Sequence, residues 1–267
     1  TMNWGKMKTL FIYLFVALNA VLLTFYIYTV QKNKTEIVQE KEIIERSMKN
    51  DNITVEENAT KRDNLGYVNV TISDLKDIRK EDSGLKYEVE NVDKTSTLKV
   101  SSENAITNVN KGSYRAELDS FLLEKMKLSA NYIFSSYNSS KNEVIFEQQI
   151  DSFRVFSNKN ARIVFSVESN GDIKNFTLTS VSNIRKDKNE ALVPSSQAIN
   201  RLYHEDLIPK NCRVRTTLGY YTYISQTENQ VLIPTWNVEI SDKDGQIRNY
   251  YVDAINLNVL NRKGHSP

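Results

Sequence analysis

The feature that most limits what this chain can become is a run of 22 residues, 9–30, "TLFIYLFVALNAVLLTFYIYTV", without a single charge. At about 1.5 Å per residue such a helix is roughly 33 Å long, enough to cross a hydrocarbon core of about 30 Å. Lys8 and Lys32 bracket the run, and Tyr13, Tyr26 and Tyr28 stand towards its ends, where amphipathic rings favour the interface between water and lipid. A cleaved signal peptide would have a shorter apolar core followed by a small-x-small site, whereas this run leads into "YIYTVQKNK". The expectation is an uncleaved single-pass anchor in the cell membrane. Basic residues lie on both sides, but a long domain translocates largely regardless of its charge. The short tail, 1–8, is therefore expected in the cytoplasm, and the large domain outside.

One polar amide, Asn19, interrupts the middle of the run, flanked by Ala17 and Ala20. An amide in hydrocarbon is costly unless paired. Two readings stay open: Asn19 bonds a second membrane helix, which the small neighbours would admit, or it bonds back to its own helix or is merely tolerated.

Outside the anchor, chemistry is sparse. With Lys6 and Lys8 set aside, 33 basic residues face 33 acidic ones, so the basic footprint of a nucleic-acid binder is missing. Cys212 is the single cysteine, which excludes an intramolecular disulfide. The two histidines, His204 and His265, leave little scope for a metal site, and the eight glycines never cluster into a phosphate-cradling loop. His204 and Cys212 stand eight residues apart without an orienting third group, and Glu205 and Asp206 are adjacent and would diverge on a helix. The expectation is no catalytic residue, no cofactor, no metal and no small-molecule substrate.

The rest divides by pattern. Residues 31–64 are polar and highly charged, a partly helical stalk or a linker. From 65 onwards two α+β lobes are expected, 65–190 and 191–267, the second ending in a loose tail "NRKGHSP". Leu118, Phe121, Leu122 and Met126 recur at helical spacing after Ser113, and Ala198 and Leu202 after Ser195 or Ser196. Strands follow each helix, "NYIFSSY" through "IKNFTLTSV" in the first half and "VRTTLGYYTYIS" through "QIRNYYVDAI" in the second. "GDIKNFTLTSV" from Gly171 aligns with "GQIRNYYVDAI" from Gly245, and "NEVIF" from Asn142 with "NQVLI" from Asn229, the marks of a duplicated lobe. In "LGYYTYIS", Tyr221 and Tyr223 fall on one face and Tyr220 on the other. One face would pack beneath the second helix, and the other could be an aromatic docking surface.

With these pieces in place, "MNWGKMKTLFIYLFVALNAVLL" and "LGYYTYISQTENQVLIPTWNVEISDKDGQIRNYYVDAINLNVL" resemble the two ends of the YycI (WalI) family of Gram-positive bacteria, and "FEQQIDSFRVF" resembles its middle. Pro234, Trp236, Gly245 and the run Tyr251, Val252, Asp253, Ala254 are also similar to PepSY-type propeptide modules, although "DAINLN" replaces their closing Asp-Ala-x-x-Gly turn. The resemblance implies two propeptide-like lobes outside the membrane and a non-enzymatic regulator of the sensor histidine kinase that governs cell-wall homeostasis. It also implies a complex with that kinase and a YycH-like sister membrane protein. The partner-binding residues expected are Ala17, Asn19, Ala20, Tyr221 and Tyr223. A membrane-tethered protease inhibitor or chaperone is the alternative.

Overall fold

The computed structural model describes residues 4–56, 62–76, 84–92, 95–128, 131–222 and 228–261, with backbone alone for 4–6 and 33–41. Two units separate, Thr1–Ile53 and Thr54–Pro267.

The first unit is one helix, α1 (Trp4–Asn50), with no break between anchor and stalk. Its segment Met7–Lys32 is long and apolar enough to cross a membrane, and none of its most apolar stretch is buried by the chain itself. Apolar side chains left open over five turns or more require an apolar surrounding. The polar groups within it turn back on the backbone. Asn19 donates Nδ2 to the Phe15 carbonyl at 2.8 Å, and the Thr24 and Thr29 hydroxyls donate to Ala20 and Phe25 carbonyls at 2.8 and 2.9 Å. Beyond the apolar run the helix continues through residues that were expected to be only partly helical. Charges there are spaced for i,i+4 pairing, as Arg46 and Glu42 show.

The second unit is α+β. Its elements in order are β1 (Thr54–Val55), β2 (Asn64–Leu65), β3 (Val68–Ile72), β4 (Leu85–Val92), β5 (Thr95–Ser102), β6 (Thr107–Asn108) and α2 (Tyr114–Phe121), the last continued by a π-helical turn, Leu122–Met126. Next come β7 (Asn131–Asn138), β8 (Glu143–Ile150), β9 (Phe153–Val155), β10 (Arg162–Val167), β11 (Asp172–Leu178), β12 (Val181–Lys186) and β13 (Glu190–Ala191). The chain closes with α3 (Ser195–His204), β14 (Cys212–Tyr221), β15 (Asn229–Asp242) and β16 (Ile247–Asp253). Among the described residues 14 strands join one sheet, along the path β12-β3-β15-β14-β9-β8-β10-β11-β5-β4, with β1, β6, β7 and β16 as side branches.

Each helix covers one face of its strands. In the first half Leu118, Leu122 and Met126 press on Val144, Phe146, Ile163, Phe165, Phe176 and Leu178. Phe165 lies 5.6 Å from Phe146 and 4.9 Å from Phe176 between ring centroids, an aromatic cluster within a mainly aliphatic core. In the second half the buried face of α3 is Ala198, Ile199 and Leu202, and the strands bury Val214, Leu218, Trp236, Val238 and Ile240. The Trp236 indole N–H donates to the Val193 carbonyl at 2.8 Å and ties β15 to the entry of α3. The helix opens at Ser195, as expected, and Pro194 before it, with φ −58° and ψ 146°, turns the chain into this first helical residue.

The aligned hairpins β10–β11 and β15–β16 share one turn pattern, bond for bond. In one, Glu168 N–H meets the Asp172 carbonyl and Gly171 N–H the Glu168 carbonyl; in the other, Asp242 meets Gln246 and Gly245 meets Asp242 in the same pattern. Gly171 and Gly245 both sit at positive φ, 88° and 78°, where a side chain is strained. The other aligned pair does not correspond. "NEVIF" lies on β8, two strands from β11, whereas "NQVLI" is the opening of β15, the partner of β16 itself.

Strand pairing also crosses the boundary expected near 190. β3 and β12, both from the first half of the sequence, pair with each other, and β3 continues onto Asn229–Leu232 of β15. Gln148 of β8 fastens this exchange: its amide donates to the Val181 carbonyl and accepts the Val181 N–H, both at 2.9 Å.

A candidate functional site in the cleft between the two sheet halves

The halves meet where β9 bridges Ile150 of β8 and Gly219–Tyr220 of β14. Gly219 allows that approach, since a Cβ there would lie 2.4 Å from the Arg154 carbonyl and 2.5 Å from the Phe156 ring. Above the joint, strand faces of both halves and Tyr114 and Arg115 at the start of α2 enclose a cleft of about 490 Å³, within the roughly 300–1,000 Å³ usual for ligand sites. Its floor is the face of β15 and β16 that carries Asn237, Glu239, Asn249 and Tyr251. Its wall is formed by β7, by Glu147 on β8 and by Arg162 on β10.

Glu147 is the buried centre of this wall, 7% exposed. The Ser157 N–H donates to its Oε1 at 2.7 Å, the Ser135 hydroxyl to its Oε2 at 3.0 Å, and Arg154 Nε stands 3.7 Å away. Burial pushes its pKa up, and these donors together with Arg154 and Arg162 oppose the shift without reversing it. Arg154 also donates to the Phe134 carbonyl at 3.0 Å, which pins the bulge in β7 at Ser135. Tyr251 stacks between Phe156 and Tyr221, with ring centroids 5.6 and 4.6 Å away, and shares a 2.7 Å hydrogen bond with the Ser157 hydroxyl. Burial raises its pKa well above the ordinary tyrosine value.

The residues singled out in the sequence fall elsewhere or are occupied. Tyr221 is half-buried and spends a ring face on Tyr251, so much of that aromatic surface is covered by the chain's own residues. Tyr220 lies on the opposite face, almost fully buried, and its hydroxyl is pushed up to about 12 by burial. Tyr223 lies outside the described residues, as does His265. His204 ends α3, Glu205 pairs with Arg201 at 2.8 Å, and Asp206 takes a positive φ of 56° in the turn that follows. The Cys212 thiol is buried, donates to the Pro209 carbonyl at 3.0 Å and is pushed up by burial and by Asp242. That is the setting of an inert thiol rather than a nucleophile. Among the described residues no three His, Cys, Asp or Glu side chains gather as a metal site.

Sequence reading passed over Glu147, Asn237 and Asn249. Each is a polar residue at the outward position of an alternating strand, indistinguishable there from a solvated one.

The family model that matches is described as YycI protein and covers residues 31–255. No curated protein matches the chain. Two solved structures are similar: an uncharacterized protein from Eubacterium rectale ATCC 33656, at a TM-score of 0.45 and 9% identity over 78% of this chain and 90% of that one, and the Bacillus megaterium YpeB C-terminal domain, at 0.42 and 12% over 85% and 96%.

Proposed function

The chain belongs to the YycI protein family, and on that premise we propose that it is a non-enzymatic, membrane-anchored regulator of a sensor histidine kinase controlling cell-wall homeostasis. Membership supports a regulatory role in a YycFG-type two-component system. The observation that carries the membrane part is α1, whose apolar segment runs without a break into the charged stalk. In the proposal the tail is cytoplasmic, the second unit is extracellular, and the chain acts in a complex with the kinase and a YycH-like sister protein.

A bound regulator shifts the kinase only by its difference in affinity for the two signalling states. In the proposal the membrane contact is made on α1 and the extracellular contacts on the second unit. Ala17 and Ala20 offer close approach to a partner helix. The Asn19 bond to Phe15 occupies one amide donor and leaves Oδ1 as an acceptor for that partner. Tyr221 and Tyr223 are the extracellular contacts in this proposal. The inert settings of Cys212 and Glu205 support a non-catalytic role.

The test is autophosphorylation of the kinase in proteoliposomes with the full chain, with residues 54–267 alone, or with neither. The proposal expects a change with the full chain that the soluble piece fails to reproduce. An equal effect from residues 54–267 would show that the anchor is dispensable and would refute the membrane-complex part of the proposal. No effect from either would refute regulation of the kinase.

A further inference from the structure

The cleft holds unspent hydrogen-bonding capacity. Asn249 is 8% exposed, and its side-chain Oδ1 and that of Asn237 are buried without a hydrogen-bond partner. They stand on neighbouring strands at diagonal positions, since Asn237 pairs with Tyr251 and Asn249 with Glu239, which sets the two amides roughly 7–8 Å apart at the Cα. Leaving a buried amide oxygen unpaired costs about 1–3 kcal/mol. Two such atoms on one cleft floor are costly for stability alone.

The charge around them is also uneven. Glu147 is matched with Arg154, and Glu239 leans towards Arg215 at 3.9 Å. Arg115 rests over the Phe134 ring at 4.1 Å and donates Nε to the Tyr114 hydroxyl at 3.2 Å, and Arg162 lines the same cleft within the electrostatic reach of Glu147. The cleft therefore offers two amides on the floor, aromatic flanks and two guanidinium groups besides Arg154.

We propose that this cleft binds a short peptide with a free C-terminal carboxylate. A side-chain amide is the chemical counterpart of a peptide group, with one acceptor and two donors. The same protein makes that pairing elsewhere, where Gln148 holds the N–H and carbonyl of Val181 at once. Successive peptide groups of an extended ligand, about 3.3 Å apart along its axis, present N–H donors on one side at every second residue, close to the spacing of Asn237 and Asn249. Arg162 and Arg115 take the carboxylate, by the charge-assisted fork that guanidinium forms. This binding reaches beyond kinase regulation and does not depend on it.

The test is equilibrium dialysis of tritiated tetra-alanine against the full chain in detergent micelles, with tetra-alanine C-terminal amide and maltotetraose as competitors. Saturable binding is expected, competed weakly by the amide and not by the sugar. Asn249→Leu should weaken it about tenfold or more, the loss of one buried hydrogen bond. Arg162→Gln should weaken the acid form by a similar factor and leave the amide form unchanged. Thermal melting of each variant shows whether it is folded, and Arg162→Gln carries the test if Asn249→Leu is not. Absence of saturable binding up to millimolar peptide would overturn the proposal. So would undiminished binding by folded Asn249→Leu and Arg162→Gln, or equal competition by maltotetraose.

Discussion

Replacing Glu147 with Leu should do far more harm than replacing it with Gln, and the structure says by how much. The carboxylate accepts from the Ser157 N–H and the Ser135 hydroxyl and faces Arg154. Leucine leaves the part-buried Ser157 N–H without its acceptor, about 1–3 kcal/mol. It also strips Arg154 of its counter-charge; since that side chain is 26% exposed and keeps its bond to Phe134, the added cost is about 1–2 kcal/mol rather than that of a fully buried charge. The sum is about 2–5 kcal/mol. Glutamine keeps an acceptor for Ser157, can donate to Ser135, and should cost about 1 kcal/mol or less at neutral pH. For a unit of this size each kcal/mol moves the melting temperature by about 2–4 °C. Thermal unfolding followed by far-ultraviolet circular dichroism should thus place the Leu variant below the Gln variant by about 2 °C or more. Equal melting of the two would refute the claim that Glu147 organises the joint between the sheet halves. The pH dependence supplies an independent sign. Burial raises the folded pKa of Glu147, so its protonated form is favoured by the fold. Its contribution is greatest below the ordinary carboxylate value and declines as pH rises through the raised one. Glu147→Gln should flatten that decline.

Gly219→Ala should destabilise by about 1–3 kcal/mol through overpacking, because its Cβ would meet the Arg154 carbonyl and the Phe156 ring, and chemical denaturation would measure it. Cys212 should resist an impermeant thiol reagent in the folded chain and react on unfolding; rapid labelling of native protein would contradict its burial. With Cys212 replaced by Ser, Lys243→Cys should label on intact cells, and labelling only after lysis would reverse the orientation. Asn19→Leu should insert normally, since the bond to Phe15 is dispensable to a helix in lipid. It should weaken copurification with the kinase about 3- to 30-fold if Oδ1 meets a partner helix, and not at all if Asn19 serves its own helix alone.

What was legible in the sequence was whatever depends on neighbours along the chain. The anchor, the buried faces of α2 and α3, and the main strands follow from runs and periods. The strand β5, "TSTLKVSS", was missed because Leu98 and Val100 are its only large apolar side chains, although Leu98 is fully buried. The pairing of β3 with β15 joins residues roughly 160 positions apart, and no local pattern encodes that. The cleft was illegible for the same reason. Asn237 and Glu239 alternate with Val238 and Ile240 as any solvated strand face would, and only the pairing of β9 with β14 at Gly219, which brings β8 alongside, makes that face a cleft floor.

The central claim is that the full chain regulates a sensor kinase from within a membrane complex. Photo-crosslinking of the chain in its native membrane, with a crosslinker placed in turn beside Ala17 and beside Tyr221, followed by identification of the trapped proteins, tests it most directly. The account predicts that both positions capture the sensor kinase or the sister membrane protein, and that a polyleucine anchor abolishes capture at the first. Capture of neither from either position, with the protein abundant and folded, would contradict it.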